Sequence, residues 1–109
     1  MPEHQPAPAV RPVTVADIPA IREILFAALD SGELRGTTSR DLNHELDLMQ
    51  VRPLGMLVSL AGDEVAGFFD PEYPLLAVHL PFRRQRHGTR LVERALADAL
   101  EQGAAGVDL

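Results

Sequence analysis

The chain has 109 residues, enough for one domain with a modest core. Its 46 % apolar and 24 % charged residues describe an ordinary globular chain, and no apolar run reaches the roughly eighteen residues a membrane helix needs. There is no cysteine, which excludes disulfides, thiolate catalysis and Cys-ligated metal within the chain; with no secretory pattern at the start, the cytoplasm is the expected location.

The net charge is −6, and all ten basic residues are arginine. Five lie between Arg83 and Arg94 against the single Glu93, a local +4; the other five face fifteen carboxylates, a remainder of −10. Phosphate neutralisation dominates non-specific nucleic-acid affinity, so a long polyanion is a poor partner for this chain. A basic patch in an acidic protein suits a small anionic ligand or an acidic partner.

Residues 1–12 carry four prolines and little core material. Residues 1–8 read as a flexible arm and 9–109 as the domain. A short strand is expected over Ala9–Val13, with Pro12 ending it or confining it to an edge. Thr14 and Asp17 have capping-box spacing and Pro19 suits a first turn, so a helix is expected from about Asp17. Ile18, Ile21, Leu25 and Ala28 mark its apolar face, and Gly32 and Gly36 close the segment. A second helix follows Thr38 and Asp41, lined by Leu42, Leu46 and Met49 and broken by VRPLG.

Met56, Val58 and Leu60 then alternate with smaller or polar neighbours, Gly62-Asp63 supplies a turn, and Val65–Phe69 returns as the second strand of a hairpin. After a turn over Asp70–Pro74, the run YPLLAVHL is mostly apolar and predicts a central strand covered on both faces. The most regular helix begins near Thr89. Leu91, Ala95 and Ala99 lie on one line with Val92, Leu96 and Leu100 beside it, and Gly103 is its expected end. AAGVDL predicts a fifth strand, parallel to its predecessor because a helix joins the two. The order β-α-α-β-β-β-α-β makes the fold α/β, or α+β with a mixed sheet.

The chemistry concentrates in FRRQRHGTRL, Phe82–Leu91. A strand, a basic turn with a glycine, and a helix together present the free N–H groups of a helix start. The helix dipole favours an anion there by roughly 0.3–1 kcal/mol, and arginines add charge-assisted hydrogen bonds. Phosphate or pyrophosphate is the natural occupant. Residue types alone leave a merely solvated arginine-rich turn equally open. The stretch has neither the P-loop pattern nor the three glycines of a dinucleotide fingerprint.

Elsewhere the signals are weaker. NHELD around His44 begins like a zinc-binding HExxH helix, but Leu48 stands where the second histidine belongs, so no metal is expected. Glu33, Asp41, Glu45 and Asp47 read most simply as a solvated acidic helix face.

The segment LLAVHLPFRRQRHGTRLVERAL resembles the acetyl-CoA-binding segment of the GNAT N-acetyltransferase superfamily. There a central strand ends near a valine, and [Q/R]-x-x-G-x-[G/A] and a helix follow. Val78 matches the strand position, Arg83 the opening residue, Gly88 the closing one, and Leu91 and Val92 the apolar pair of the helix. The upstream elements match that family's N-terminal half, so the likeness runs from about Ala9 onward. It implies an acyl-CoA N-acyltransferase fold, truncated after the fifth strand, and an acetyl-CoA-dependent transfer to a primary amine by direct attack.

By the same resemblance, the backbone at Val78 and Leu80 would bond the pantetheine arm, beside Arg83. Amides of Arg84, Gln85, Arg86, His87, Gly88 and Thr89 would hold the pyrophosphate. His79 would be a candidate base, Glu72 a water-linked proton relay and Tyr73 a candidate acid, and the acidic residues of the first two helices would border the acceptor groove. Arg86 departs from the pattern, standing at the first motif glycine. If the position needs a left-handed backbone, arginine there costs about 1–2 kcal/mol, or about five- to thirty-fold in affinity, part of which a guanidinium near the phosphate would offset. Leu80 takes the usual proline site, with Pro81 next. The family's remaining helix and two strands, which complete the acceptor site, would have to come from a partner chain, a second copy or a longer parent sequence. The alternatives are a non-catalytic remnant that binds CoA or a protein, and a module for another phosphorylated ligand.

Overall fold

The computed structural model describes residues 9–51, 55–73 and 75–106. The expected arm at 1–8 and the last residues of the expected fifth strand lie outside them. Four strands form one antiparallel sheet in the order β1 (Ala9–Pro12), β2 (Leu57–Ala61), β3 (Glu64–Asp70) and β4 (Leu75–Val78). Helices α1 (Ile18–Asp30) and α2 (Ser39–Val51) cover one face, and α3 (His87–Gly106) lies on the other. The mixed α/β class is therefore as expected.

Local rules set the element boundaries. β1 stops at Pro12 on the sheet edge, where the missing N–H disturbs no ladder. The Thr14 amide donates to Asp17 Oδ2 at 2.8 Å, and a short 3-10 turn over Val15–Asp17 leads into α1 with Pro19 in its first turn. Both Arg11 terminal nitrogens also donate to the buried Asp17 carboxylate, at 2.7 and 2.8 Å, fixing the end of β1 to the start of α1. Thr38 and Asp41 bond reciprocally at the start of α2.

The core lies between the sheet and the first two helices. Ile21, Leu25, Leu42 and Met49 pack with Val58 and Phe68, all fully buried. On the other face the approach of α3 is close. A Cβ added at Gly67 of β3 would stand 2.8 Å from Ser59 Oγ and 3.2 Å from Leu91 Cδ1. Only a residue without a side chain lets Leu91 seat there.

Three expectations are corrected. β4 is an edge strand, not a central one, and Leu76 on its α3 side is 38 % exposed, because no described strand pairs beyond it. The helix does not end at Gly103 but runs to Gly106, so 104–106 are helical and no fifth strand begins there. A single helical glycine costs only about 1 kcal/mol and does not by itself stop a helix. The row Val92, Leu96 and Leu100 stays exposed. Among the described residues no helix is long and apolar enough to cross a membrane, and no cluster of three metal-ligating side chains occurs.

The acidic residues do not share one solvated face. Glu45 is buried on α2 against Asp70, also buried, at the end of β3. Burial pushes the Glu45 carboxyl up to about 8, helped by the neighbouring Asp70 and Glu72 carboxylates. The folded protein thus holds a proton on Glu45 that the unfolded chain releases above its ordinary value of 4.5. Stability from this group is complete below 4.5 and is lost as pH rises toward about 8. Glu45→Gln keeps the side-chain shape and removes the titration. Urea unfolding across that range should show the wild type losing stability with rising pH and the variant much less; equal slopes would mean that Glu45 is ionised in the fold.

Candidate functional site

Sequence places the basic turn directly after β4, and the fold bends it back over the strand's end. A 3-10 turn over Leu80–Phe82 follows Val78 and His79, and the His79 amide donates to Ala66 O at 2.7 Å. Ala66 is the extra residue of a bulge in β3, since Ser59 pairs with Gly67 and Leu60 with Val65. Phe82 lies half-buried between the rings of His79 and His87, at centroid distances of 6.1 and 6.0 Å.

The turn then takes an unusual path. Arg84 and Arg86 are both left-handed, with φ of 66° and 70°. The left-handed backbone that the motif-glycine position of Arg86 left open is present; Arg84 carried no sequence signal for it. Each costs about 1–2 kcal/mol without a glycine. Such strain persists where the surroundings over-determine the backbone, and it clusters at functional sites. The consequence for binding differs from the sequence expectation. The strain is already present without a ligand, so it weighs on folding and need not reduce affinity.

The first amide of α3 to find a backbone partner is that of Arg90, which donates to Arg86 O at 2.9 Å. Among the described residues, the six N–H groups from Arg84 to Thr89 have no partner. Side chains of Arg84 and Arg86 are exposed and make no ion pair with a described residue. Consecutive free amides in a curled turn at a helix start form a concavity suited to an anion. Arg84, Arg86, His87, Gly88 and Thr89 of this turn border a cavity of about 460 Å³, closed by Leu76–Val78 of β4 and by Glu33 and Leu34 after α1. Gly88 faces Leu76 and Val78, and an added Cβ would make only ordinary 3.7 Å contacts with them.

His87 is placed differently from a phosphate contact. Its side chain is 3 % exposed and turned into the sheet, with Nδ1 3.0 Å from the fully buried Ser59 Oγ. Burial pushes the imidazole pKa down, so it is held neutral there. Only the His87 backbone is left to face the cavity. The pair anchors the first turn of α3 to β2.

The three candidate catalytic residues are not brought together. His79 is half-buried at the C-terminal end of β4, lining a second cavity of about 510 Å³, and its Nδ1 is buried with no partner among the described residues. Glu72 and Tyr73 sit exposed in the turn before β4, at the strand's other end. Glu72 lines a separate cavity with Gly55 and Asp98. Glu33, expected only as part of an acidic face bordering the acceptor groove, pairs its carboxylate with Arg83 fifty residues away, which the sequence did not signal. Arg83 Nε reaches back to Val78 O at a long 3.5 Å.

Two substitutions test this geometry. Ser59→Ala leaves the buried His87 nitrogen unpaired and should cost about 1–3 kcal/mol in chemical denaturation; no loss would mean that His87 finds another partner. Arg86→Gly should gain about 0.5–1 kcal/mol, the relieved strain less the added chain entropy of glycine. A destabilised Arg86→Gly protein would argue against left-handed strain at this position.

No protein-family model matches the chain, and no curated protein matches it. Solved structures do. The chain superposes on a ribosomal-protein-alanine N-acetyltransferase from Brucella melitensis with a TM-score of 0.66 and 22 % identity, covering 86 % of this chain and 68 % of that one. Ard1 from Thermoplasma volcanium gives 0.65 and 28 %, with 88 % and 66 % covered. The yncA protein of Salmonella typhimurium, solved with its cofactor acetyl-CoA, gives 0.67 and 23 %, with 90 % and 66 % covered. The fold is that of the GNAT N-acetyltransferases, and these likenesses support a relationship to that superfamily. The chain spans about two thirds of the length of these neighbours.

Proposed function

We propose that this chain is the cofactor-binding part of a GNAT-type N-acetyltransferase, with acetyl-CoA as co-substrate and a primary amine as acceptor. The observation that carries the reading is the row of free amides from Arg84 to Thr89 at the start of α3, on a fold shared with an acetyl-CoA-bound neighbour. The residues present fit the group. The amides would hold its pyrophosphate, and Arg84 and Arg86 would add charge beside it. Val78 and Leu80 would meet the pantetheine arm. The Leu80 carbonyl already accepts from the Arg83 amide at 3.2 Å, which leaves its N–H for that contact.

When bound, acetyl-CoA supplies the activated acetyl group. The chain's part is to position it at the end of β4 and to handle a proton. His79 is the one candidate beside the site, and its imidazole would serve as the general base for the incoming amine. Glu72 and Tyr73 would act only on a substrate reaching the far end of β4. A longer parent sequence, a second copy or a partner chain adding a strand at the β4 edge would complete the sheet and the acceptor side.

A second reading is a CoA-binding or interaction module without catalysis. One observation favours it: of three candidate catalytic residues, only His79 lies near the basic turn.

Titration calorimetry at matched ionic strength should show acetyl-CoA binding at least about ten-fold more tightly than pyrophosphate, a difference of about 1.4 kcal/mol. Equal affinities would point to a simple phosphate site, and no binding to a folded sample would refute the cofactor reading.

A further inference from the structure

Two cavities meet at the C-terminal end of β4. The first is bounded by the free amides. The second lies on the α1 side, lined by Ile24, Ala27, Ser31, His79, Leu80 and Pro81. Glu33 and Arg83 stand in the walls of both, so their ion pair lies between the two spaces. Among the described residues lining the second cavity, Glu33 is the only carboxylate and Arg83 the only permanent cation, and the other walls are mostly apolar.

The strengths of the competing contacts are unequal. The Arg83 and Glu33 side chains are 39 % and 37 % exposed. A pair exposed to that degree contributes about 0–1 kcal/mol. Carboxylate and phosphate can each take an arginine in two parallel hydrogen bonds, but a phosphate carries more charge. A phosphate anion in the first cavity, whose wall Arg83 shares, therefore competes with Glu33 for that guanidinium. The carboxylate left behind stays held by Ser31, whose hydroxyl donates to Glu33 Oε2 at 2.7 Å. It then faces an apolar space with no cation opposite, and its best partner is an ammonium group on an apolar body.

We propose that the Glu33–Arg83 pair is an exchangeable clasp: an anion in the first cavity draws Arg83 away, and the released Glu33 carboxylate binds the ammonium of the acceptor amine in the second. The identification of that amine as an acceptor rests on the acetyltransferase reading above; the exchange itself does not. Coupling of this kind is reciprocal, so the amine also tightens the anion.

Calorimetry with phenethylamine as probe tests it, in the full chain alone, with saturating CoA, and with saturating pyrophosphate, all at one ionic strength. Each anion should tighten the amine by about five-fold or more, the lower end of ordinary coupling between sites. The neutral phenethyl alcohol should show no such gain. Glu33→Gln, checked for folding by circular dichroism, should lose the enhancement and bind CoA at least as tightly as the wild type. CoA binding with no effect on the amine overturns the clasp and leaves the cofactor reading standing. Coupling to pyrophosphate without CoA binding does the reverse. An amine that binds in no state, or an enhancement that survives in Glu33→Gln, overturns the clasp.

Discussion

Helix α3 can lie where it does because β3 carries no side chain at Gly67. That absence lets Leu91 settle over the sheet and brings Ser59 within reach of His87. With its first turn anchored to β2, the helix has its start fixed above the end of β4. Everything attributed to the basic turn follows from this contact, since free amides bind an anion well only if held in place before it arrives. Farther along the helix, Arg94 donates to Val10 O at 3.0 Å and ties the same element to β1.

Charge is arranged to match. An acidic chain keeps its arginines dense at one helix start, and two of the three in the turn itself, Arg84 and Arg86, have no carboxylate partner among the described residues. The third, Arg83, is held by Glu33 across the mouth of the cavity. A protein of net −6 can thus attract one anionic group at one place without becoming a general polyanion binder.

Much of this was legible because the signals are local. Caps at Thr14 and Thr38, the edge role of Pro12 and the Gly62 turn all depend on neighbours a few residues away. What sequence reading missed depends on distance. Glu33 and Arg83 are fifty residues apart, and nothing in either segment announces the other. Glu45 was misread as solvated although it sits three residues after Leu42 and four before Met49, the spacing of a buried face; an ionisable residue type outweighed the pattern. β4 looked central because a continuous apolar run implies cover on both faces, and its outer cover is absent among the described residues. Of the site, the amides and their arginines could be read in advance, and the partition into two cavities could not.

The bent path at Arg84 and Arg86 moves a cost from one equilibrium to another. A loop shaped before its guest arrives loses little freedom on capture, so modest contacts suffice for grip. The penalty falls on the fold instead: about 2–4 kcal/mol for the pair at about 1–2 each, against a usual margin of about 5–15. Selection for heat resistance would favour glycine at both positions, and glycine would also let the socket wander. At this turn, thermal endurance and readiness for capture pull in opposite directions.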